Sequence, residues 1–175
     1  MKVKFRVICC AFFSYVLLST TAFACAAPDS VMSYRPSKKP VRVKMRETSE
    51  GLMPARLPPF DVSLKDVRRS PGRDAMPCGQ YGSITVQIDW PASSAYRLDE
   101  VGFYFRVVDA ANTADIFETG PVVGKITGNS MRLFFVFDDE EPKERKPWNL
   151  TVEAFAVNAM MEIGPVTKFQ LKSVD

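Results

Sequence analysis

The sequence predicts an all-β protein, with about seven antiparallel strands arranged as a two-sheet sandwich. Three observations lead to this prediction. Past residue 60, apolar and polar residues alternate with a period of two; turn residues separate the alternating stretches; and no window shows the 3.6-residue period of a helix. We expect this body, residues 60–175, to follow a signal peptide, residues 1–24, and an extended arm, residues 25–59.

The first residues have the organisation of a secretory signal peptide. Three basic residues precede the apolar run Val7–Leu18, and Ala22 and Ala24 occupy the positions of the A-x-A cleavage pattern. The run has about 12 residues, whereas a helix needs about 20 to cross a bilayer. The sequence therefore predicts an exported protein, periplasmic or secreted, with no transmembrane segment in the mature chain. An uncleaved anchor is the alternative.

Two cysteines, Cys25 and Cys78, follow the apolar run, and their state depends on the cleavage site. Cleavage after Ala24 leaves both in an oxidising compartment, where a disulfide between them is chemically permitted. Cleavage after Ala26 or Ala27 leaves Cys78 alone. Lipidation of Cys25, as in a bacterial lipoprotein, is the third option and would anchor the chain to a membrane.

The predicted arm is rich in proline and basic residues. Its six prolines leave little room for helix or sheet, and only Val41–Met45 alternates like a strand. Residues 35–56 carry seven Lys or Arg against two Glu, a net charge of +5, whereas residues 57–175 carry 13 basic against 17 acidic residues, a net charge of −4. Such an arm suits a solvated tether or contact with an anionic lipid or polysaccharide. Export and the lack of regularly spaced aromatic residues argue against a nucleic-acid partner.

Seven alternating stretches justify the predicted strands. In chain order they are residues 60–67, 83–91, 100–109, 118–126, 130–139, 149–157 and 167–174. In the clearest of them, Ile84, Val86 and Ile88 share one face with Trp90, and Pro91 ends the strand because it has no N–H donor. Two sheets that bring such faces together enclose a single core.

Three stretches, residues 83–91, 101–108 and 150–165, resemble a fibronectin type III domain in their order and spacing. The residues that carry the resemblance are Ile84, Val86, Ile88 and Pro91, then Gly102 and Phe103, then Ala156, Val157, Asn158 and Gly164. The resemblance spans residues 57–174. It implies a fibronectin III-like or immunoglobulin-like sandwich that acts as an adhesive or spacer module, and it implies no catalysis.

Such a sandwich would place residues 100–109 beside residues 149–157, with apolar side chains on the outer face. The loop that follows the second strand adds two methionines, whose adaptable side chains suit binding surfaces. Because exposed apolar patches mark contacts, the candidate partner contacts are Tyr104, Val108, Phe155, Val157, Met160 and Met161. Coverage by the arm, self-association and scattered exposure remain as alternatives.

The chain contains no histidine, which excludes Ser-His and Cys-His catalysis. Residues 120–126 lack the spacing of a phosphate-binding loop. The acidic run Asp138–Glu141 lacks the pattern of a calcium loop and is interpreted as a solvated loop, and Asp99 with Glu100 is interpreted as a turn. We therefore expect no catalytic residue, no cofactor and no metal site.

These observations favour a non-catalytic, exported binding or scaffolding module of the cell envelope or the extracellular space. Its expected partner is a protein or an envelope glycan. The alternative is an exported hydrolase or carbohydrate-active protein that uses carboxylates, which would need two acids in a cleft.

Overall fold

The computed structural model describes residues 30–36, 44–72, 80–108 and 116–173. In this part of the chain the regular structure consists of strands and one 3₁₀ turn, Leu98–Glu100. The strands are β1 (Met32–Ser33), β2 (Met45–Thr48), β3 (Gly51–Pro54), β4 (Asp61–Arg68), β5 (Tyr81–Asp89), β6 (Gly102–Val107), β7 (Val122–Val123), β8 (Lys125–Thr127), β9 (Ser130–Asp138), β10 (Asn149–Val157) and β11 (Ile163–Lys172). The predicted signal peptide, Cys25 and Cys78 lie outside the described residues.

The strands form three antiparallel sheets. A five-stranded sheet has the order β1-β7-β6-β10-β11, a four-stranded sheet has the order β4-β5-β9-β8, and β2 and β3 form a hairpin of their own. The predicted all-β class and antiparallel pairing are confirmed, and each of the seven predicted stretches overlaps at least one strand.

One hydrophobic core draws side chains from both larger sheets. On β5, Ile84, Val86 and Ile88 are buried while the intervening residues are half-buried. A ring contact joins the two sheets, because Phe105 of β6 lies 5.2 Å from Phe135 of β9 between ring centroids. Period-two alternation therefore predicted the inward faces correctly, since successive strand residues point to opposite sides of a sheet.

Trp90 packs at one end of this core. Its ring lies 5.9 Å from Phe60 and 5.8 Å from Phe103 between centroids. Its indole N–H donates to the Tyr96 carbonyl oxygen at 2.8 Å. The large ring is thus buried with its polar group satisfied, as buried tryptophans require.

The predicted strand over residues 118–126 is divided between the two larger sheets. Val122–Val123 belongs to the five-stranded sheet and Lys125–Thr127 to the four-stranded sheet. Gly124 joins them, where a Cβ atom would lie 2.0 Å from the Arg132 carbonyl oxygen. Only glycine allows the chain to pass so close to β9 as it changes sheets.

The described parts of the arm contain β1 and the hairpin β2–β3. The six prolines do not prevent this pairing, because Pro54 is the last residue of β3, where a proline is tolerated, and the other five lie outside the three strands. Lys44 Nζ donates to the Ala95 carbonyl oxygen at 2.9 Å and to Glu100 Oε2 at 2.5 Å. Ala55 and Leu57 then enter the core. These contacts attach this end of the arm to the body.

Candidate contact surface

The outer face of the five-stranded sheet carries cross-strand rows of side chains on β6, β10 and β11. The strand register defines four rows: Gly102–Val157–Ile163, Tyr104–Phe155–Val166, Arg106–Glu153–Lys168 and Val108–Thr151–Gln170. We call the second the aromatic row and the third the ionic row. An apolar strip and a charged strip therefore lie side by side on one face.

The aromatic row brings together two of the predicted contact residues. Tyr104 and Phe155 stack with their ring centroids 5.3 Å apart and an interplanar angle of 26°. Both side chains are half-buried, and Val166, the next member of the row, is 48% exposed. The Arg106 guanidinium lies 6.0 Å from the Phe155 ring centroid, so a cation borders the strip.

In the ionic row, two cationic side chains contact one carboxylate, that of Glu153. Arg106 Nε donates to Glu153 Oε2 at 2.6 Å, and Lys168 Nζ lies 3.1 Å from Glu153 Oε1. Hydrogen bonds from Arg106 and then from Lys168 hold the pKa of Glu153 below its usual value, against the opposing effect of burial. Glu153 therefore stays ionised, and the row presents two exposed cationic side chains on either side of it.

Val157, predicted as an outward contact, is fully buried. Tyr34 of the arm lies over this end of the face: a Cβ atom at Gly102, the cross-strand neighbour of Val157, would come within 2.5 Å of Tyr34 Cγ. The Tyr34 hydroxyl donates to the Glu100 carbonyl oxygen at 2.8 Å. The side chain of Val157 therefore does not reach the solvent and cannot contact a partner in this conformation.

Asn158 organises the loop between β10 and β11. Its Oδ1 accepts hydrogen bonds from the main-chain N–H groups of Met160 at 3.0 Å and Glu162 at 3.1 Å. Its Nδ2 donates to Glu162 Oε2 at 2.6 Å and to the Tyr96 hydroxyl at 3.3 Å. This buried side chain thus fixes the loop to the core, and the loop holds Met160 and Met161 out in the solvent.

Met161 adopts φ = 62°, in the left-handed region. For a residue with a Cβ this conformation costs about 1–2 kcal/mol. Strain of this kind is found preferentially at functional sites. The loop therefore presents an exposed methionine in a costly and fixed conformation, although glycine would fit the backbone with less strain.

The remaining predicted contact, Val108, is exposed but lies apart from the others. Its main-chain N–H donates to the Thr151 carbonyl oxygen at 2.9 Å, and the ionic row separates it from the aromatic row. The six predicted residues thus do not form one patch: Tyr104 and Phe155 share a row, the two methionines share a loop, Val108 stands alone and Val157 is covered.

Ile163 and Val166 are exposed apolar residues that the sequence analysis missed. They flank Gly164 and Pro165 at the start of β11, where the register to β10 is irregular, so strict alternation does not include them. Ile163 is 65% exposed and pairs with Val157. The available signal was the pair of apolar residues on either side of the Gly-Pro turn.

Beside Ile163, an open groove of about 940 Å³ separates the β2–β3 hairpin from the start of β11. Its lining mixes basic, acidic and apolar side chains: Arg46, Arg56, Glu50, Glu162, Met53 and Ile163. This composition extends the mixed character of the outer face toward the methionine loop.

The carboxylates of the 3₁₀ turn are engaged in ion pairs. Asp99 pairs with Arg97, and Glu100 pairs with Lys44. Burial raises the pKa of Glu100, but hydrogen bonds from Lys44 and from the Arg97 main-chain N–H outweigh it, and the net shift is downward. Both groups are therefore held as carboxylates, an arrangement that suits anchoring of the turn more than proton transfer.

The side chain of Asp139 is buried, so the interpretation of Asp138–Glu141 as a solvated loop is wrong for this residue. Its side chain is 1% exposed and that of Arg69 is 4% exposed. Arg69 Nη2 donates to Asp139 Oδ1 at 2.7 Å, and the Ser70 main-chain N–H donates to Oδ2 at 2.8 Å. Arg145 Nη1 lies 3.5 Å from Oδ2. The cluster ties the chain after β4 to the end of β9.

Across residues 30–36, 44–72, 80–108 and 116–173, no group of three or more His, Cys, Asp or Glu residues could hold a metal ion. The same residues contain no helix with the length and hydropathy needed to span a bilayer.

The chain matches no protein-family model, no curated protein and no solved structure.

Proposed function

We propose that this chain is an exported, non-catalytic binding module that docks a protein partner on the outer face of β6, β10 and β11. The contact is centred on the aromatic row and extends to Met160 and Met161. The observation that carries the proposal is the apolar strip Tyr104–Phe155–Val166, whose two stacked rings are half-buried and whose valine is exposed, set directly beside a charged row.

Each part of this face suits a protein contact. Aromatic residues and methionine are enriched in protein interfaces, where they supply most of the apolar contact area. Arg106 and Lys168, the exposed cations of the ionic row, can orient an approaching partner. Such charges contribute more to specificity and association rate than to affinity. A loop held by the buried Asn158 loses little conformational freedom on binding, which lowers the entropic cost of association.

The finer fold that we propose is a fibronectin III-like or immunoglobulin-like two-sheet sandwich. The order β4-β5-β9-β8 corresponds to strands A-B-E-D of an immunoglobulin constant-type domain, and β6-β10-β11 corresponds to strands C-F-G. In such domains the exposed sheet faces and end loops commonly serve as contact surfaces. This correspondence supports a binding role and offers no catalytic centre by itself.

The surface is tested with two matched valine substitutions. Val166 in the aromatic row is 48% exposed, and Val136 on the four-stranded sheet is 41% exposed. Partners are captured from the native cell envelope with the wild-type chain, then with Val166→Glu and Val136→Glu. We expect Val166→Glu to lose a partner that Val136→Glu retains. Identical capture by all three chains would refute the proposed surface.

Export is tested separately by mass spectrometry of the mature N-terminus. A chain that begins at Cys25 with the mass of a free or disulfide-bonded cysteine supports cleavage after Ala24. A diacylglycerol adduct on Cys25 would instead show a lipid anchor. A chain that still begins at Met1 after fractionation to the cytosol would refute export.

A further inference from the structure

The arm segment Ser30–Pro36 joins the edges of the two larger sheets. Ser30 bridges to Phe134 of β9, and the Val31 main-chain N–H donates to the Phe134 carbonyl oxygen at 3.0 Å. Two residues later, Met32 and Ser33 form β1 and pair with β7 of the other sheet. The segment thus lies along the seam where Gly124 carries the chain from β7 to β8.

In this seam the aromatic ring of Tyr34 occupies a space left open by the absence of a side chain at Gly102. The three atoms nearest to an added Cβ at Gly102 all belong to Tyr34, at 2.5–2.7 Å, so the ring occupies the space that a side chain at Gly102 would take. The Tyr34 main-chain N–H donates to the Pro121 carbonyl oxygen at 2.7 Å. Its hydroxyl reaches the Glu100 carbonyl oxygen. The segment is therefore a short strand with one aromatic anchor.

This arrangement has the two elements by which a strand is recognised. Main-chain hydrogen bonds at a sheet edge give affinity without regard to sequence, and a side-chain pocket gives specificity. Here Val31 packs against the core and Tyr34 fills the pocket at Gly102. Met32, Ser33 and Arg35 remain exposed. The side chains of Val31 and Tyr34 therefore carry the specific part of the contact.

We infer that the seam accepts the segment Ser30–Pro36 from a second copy of this chain, which makes the segment an exchangeable strand. The occupant is identified by the structure, since the segment that fits the seam is present in every copy. The two ends of the intervening connection both lie at the Glu100 turn, through Tyr34 on one side and Lys44 on the other. Because the two copies have the same sequence, exchange replaces one set of contacts with an identical set. Such an exchange is a low-cost route to a dimer.

This contact does not rest on the proposed partner surface. It uses Gly102 and the edges of β7 and β9, whereas the partner surface uses the aromatic row and the methionine loop. A chain whose Val166→Glu variant loses its partner can still exchange its arm, and the reverse also holds.

The test is a complementation between purified full chains. The donor carries Gly102→Ala, which fills its own pocket and leaves its Tyr34 segment free. The open receptor carries Tyr34→Ala and Gly120→Ala; the second change is a matched glycine control, because an added Cβ at Gly120 meets nothing within 4 Å. The blocked receptor carries Tyr34→Ala and Gly102→Ala. Masses are measured by size exclusion with light scattering.

We expect the donor and the open receptor to be monomers alone and to shift to a 1:1 heterodimer when mixed. The donor and the blocked receptor should remain monomers. Absence of the heterodimer in the first mixture overturns the inference, as does equal association in both mixtures, because the contact would then not use Gly102.

Circular dichroism of each chain shows whether Gly102→Ala keeps the strand spectrum of the wild type. If it does not, the open receptor is titrated with a labelled peptide of residues 30–36 and with the same peptide carrying Tyr34→Ala. Saturable binding of the first peptide alone supports the exchange. Equal binding of both peptides, or of neither, overturns it.

Discussion

Arg69 and Asp139, 70 residues apart in the chain, form a buried ion pair whose Nη2–Oδ1 distance is 2.7 Å. The Arg69 guanidinium also lies 4.2 Å from the centroid of the Trp148 ring, and its Nη1 donates to the Lys146 carbonyl oxygen at 3.1 Å. One side chain therefore connects the chain after β4 with the segments that follow β9 and precede β10.

Asp139→Asn should lower the free energy of unfolding by about 3 kcal/mol or more, because it removes one charge of an ion pair whose two side chains are buried. Asp138→Asn is the matched control, since Asp138 is its exposed neighbour in the same acidic run. Guanidinium unfolding of both variants provides the comparison. An equal loss of stability in the two would contradict the role assigned to Asp139.

The same carboxylate predicts an acid dependence of stability. Burial raises the pKa of Asp139, but the Arg69 hydrogen bonds and the Ser70 main-chain N–H outweigh it, so the folded-state pKa lies below the ordinary value of 3.8. The stabilisation is therefore present above 3.8 and is lost as the pH falls through the folded-state value. The difference in unfolding free energy between wild type and Asp139→Asn should be constant near neutral pH and should shrink in acid. A difference that grows in acid would show the opposite shift.

Met161→Gly should stabilise the fold relative to Met161→Ala by about 1 kcal/mol. Both variants remove the methionine side chain, but only glycine adopts φ near 60° without a Cβ clash. Thermal or guanidinium unfolding measures the difference. If the alanine variant is as stable as the glycine variant, the loop is not strained at this residue.

Tyr34 should make stability sensitive to alkaline pH. Burial and then the Glu100 charge raise the pKa of Tyr34 above its ordinary value of 10.0. The neutral hydroxyl donates to the Glu100 carbonyl oxygen, so its contribution is complete below 10.0 and is lost as the pH rises through the folded-state pKa. Tyr34→Phe should cost about 1 kcal/mol near neutral pH, and this cost should decline at high pH. A cost that does not change across the tyrosine titration, followed by phenolate absorbance, would count against the hydrogen bond.

On the outer face, the sequence pattern predicted some members of the candidate contact surface and not others. Tyr104 and Phe155 were placed together correctly because both follow from alternation on two strands that pair in register. Val157 was predicted to face outward but is fully buried, at the end of the face where Tyr34, 123 residues earlier in the chain, packs over its cross-strand neighbour Gly102. Ile163 was missed because the irregular pairing near Gly164 breaks the alternation on which the prediction rested.

The sequence by itself determined most strands past residue 60 and their inward faces, because a period-two pattern is local and a residue such as Val86 needs only its neighbours to be assigned a side. The tertiary structure alone decided that the Asp139 side chain is buried while Asp138 is exposed, and that Tyr34 of the arm covers Gly102. Those outcomes depend on contacts between residues far apart in the chain, such as Arg69 with Asp139. The solvent exposure of a charged or apolar side chain depends on which distant segment packs against it. A local residue pattern does not contain that information.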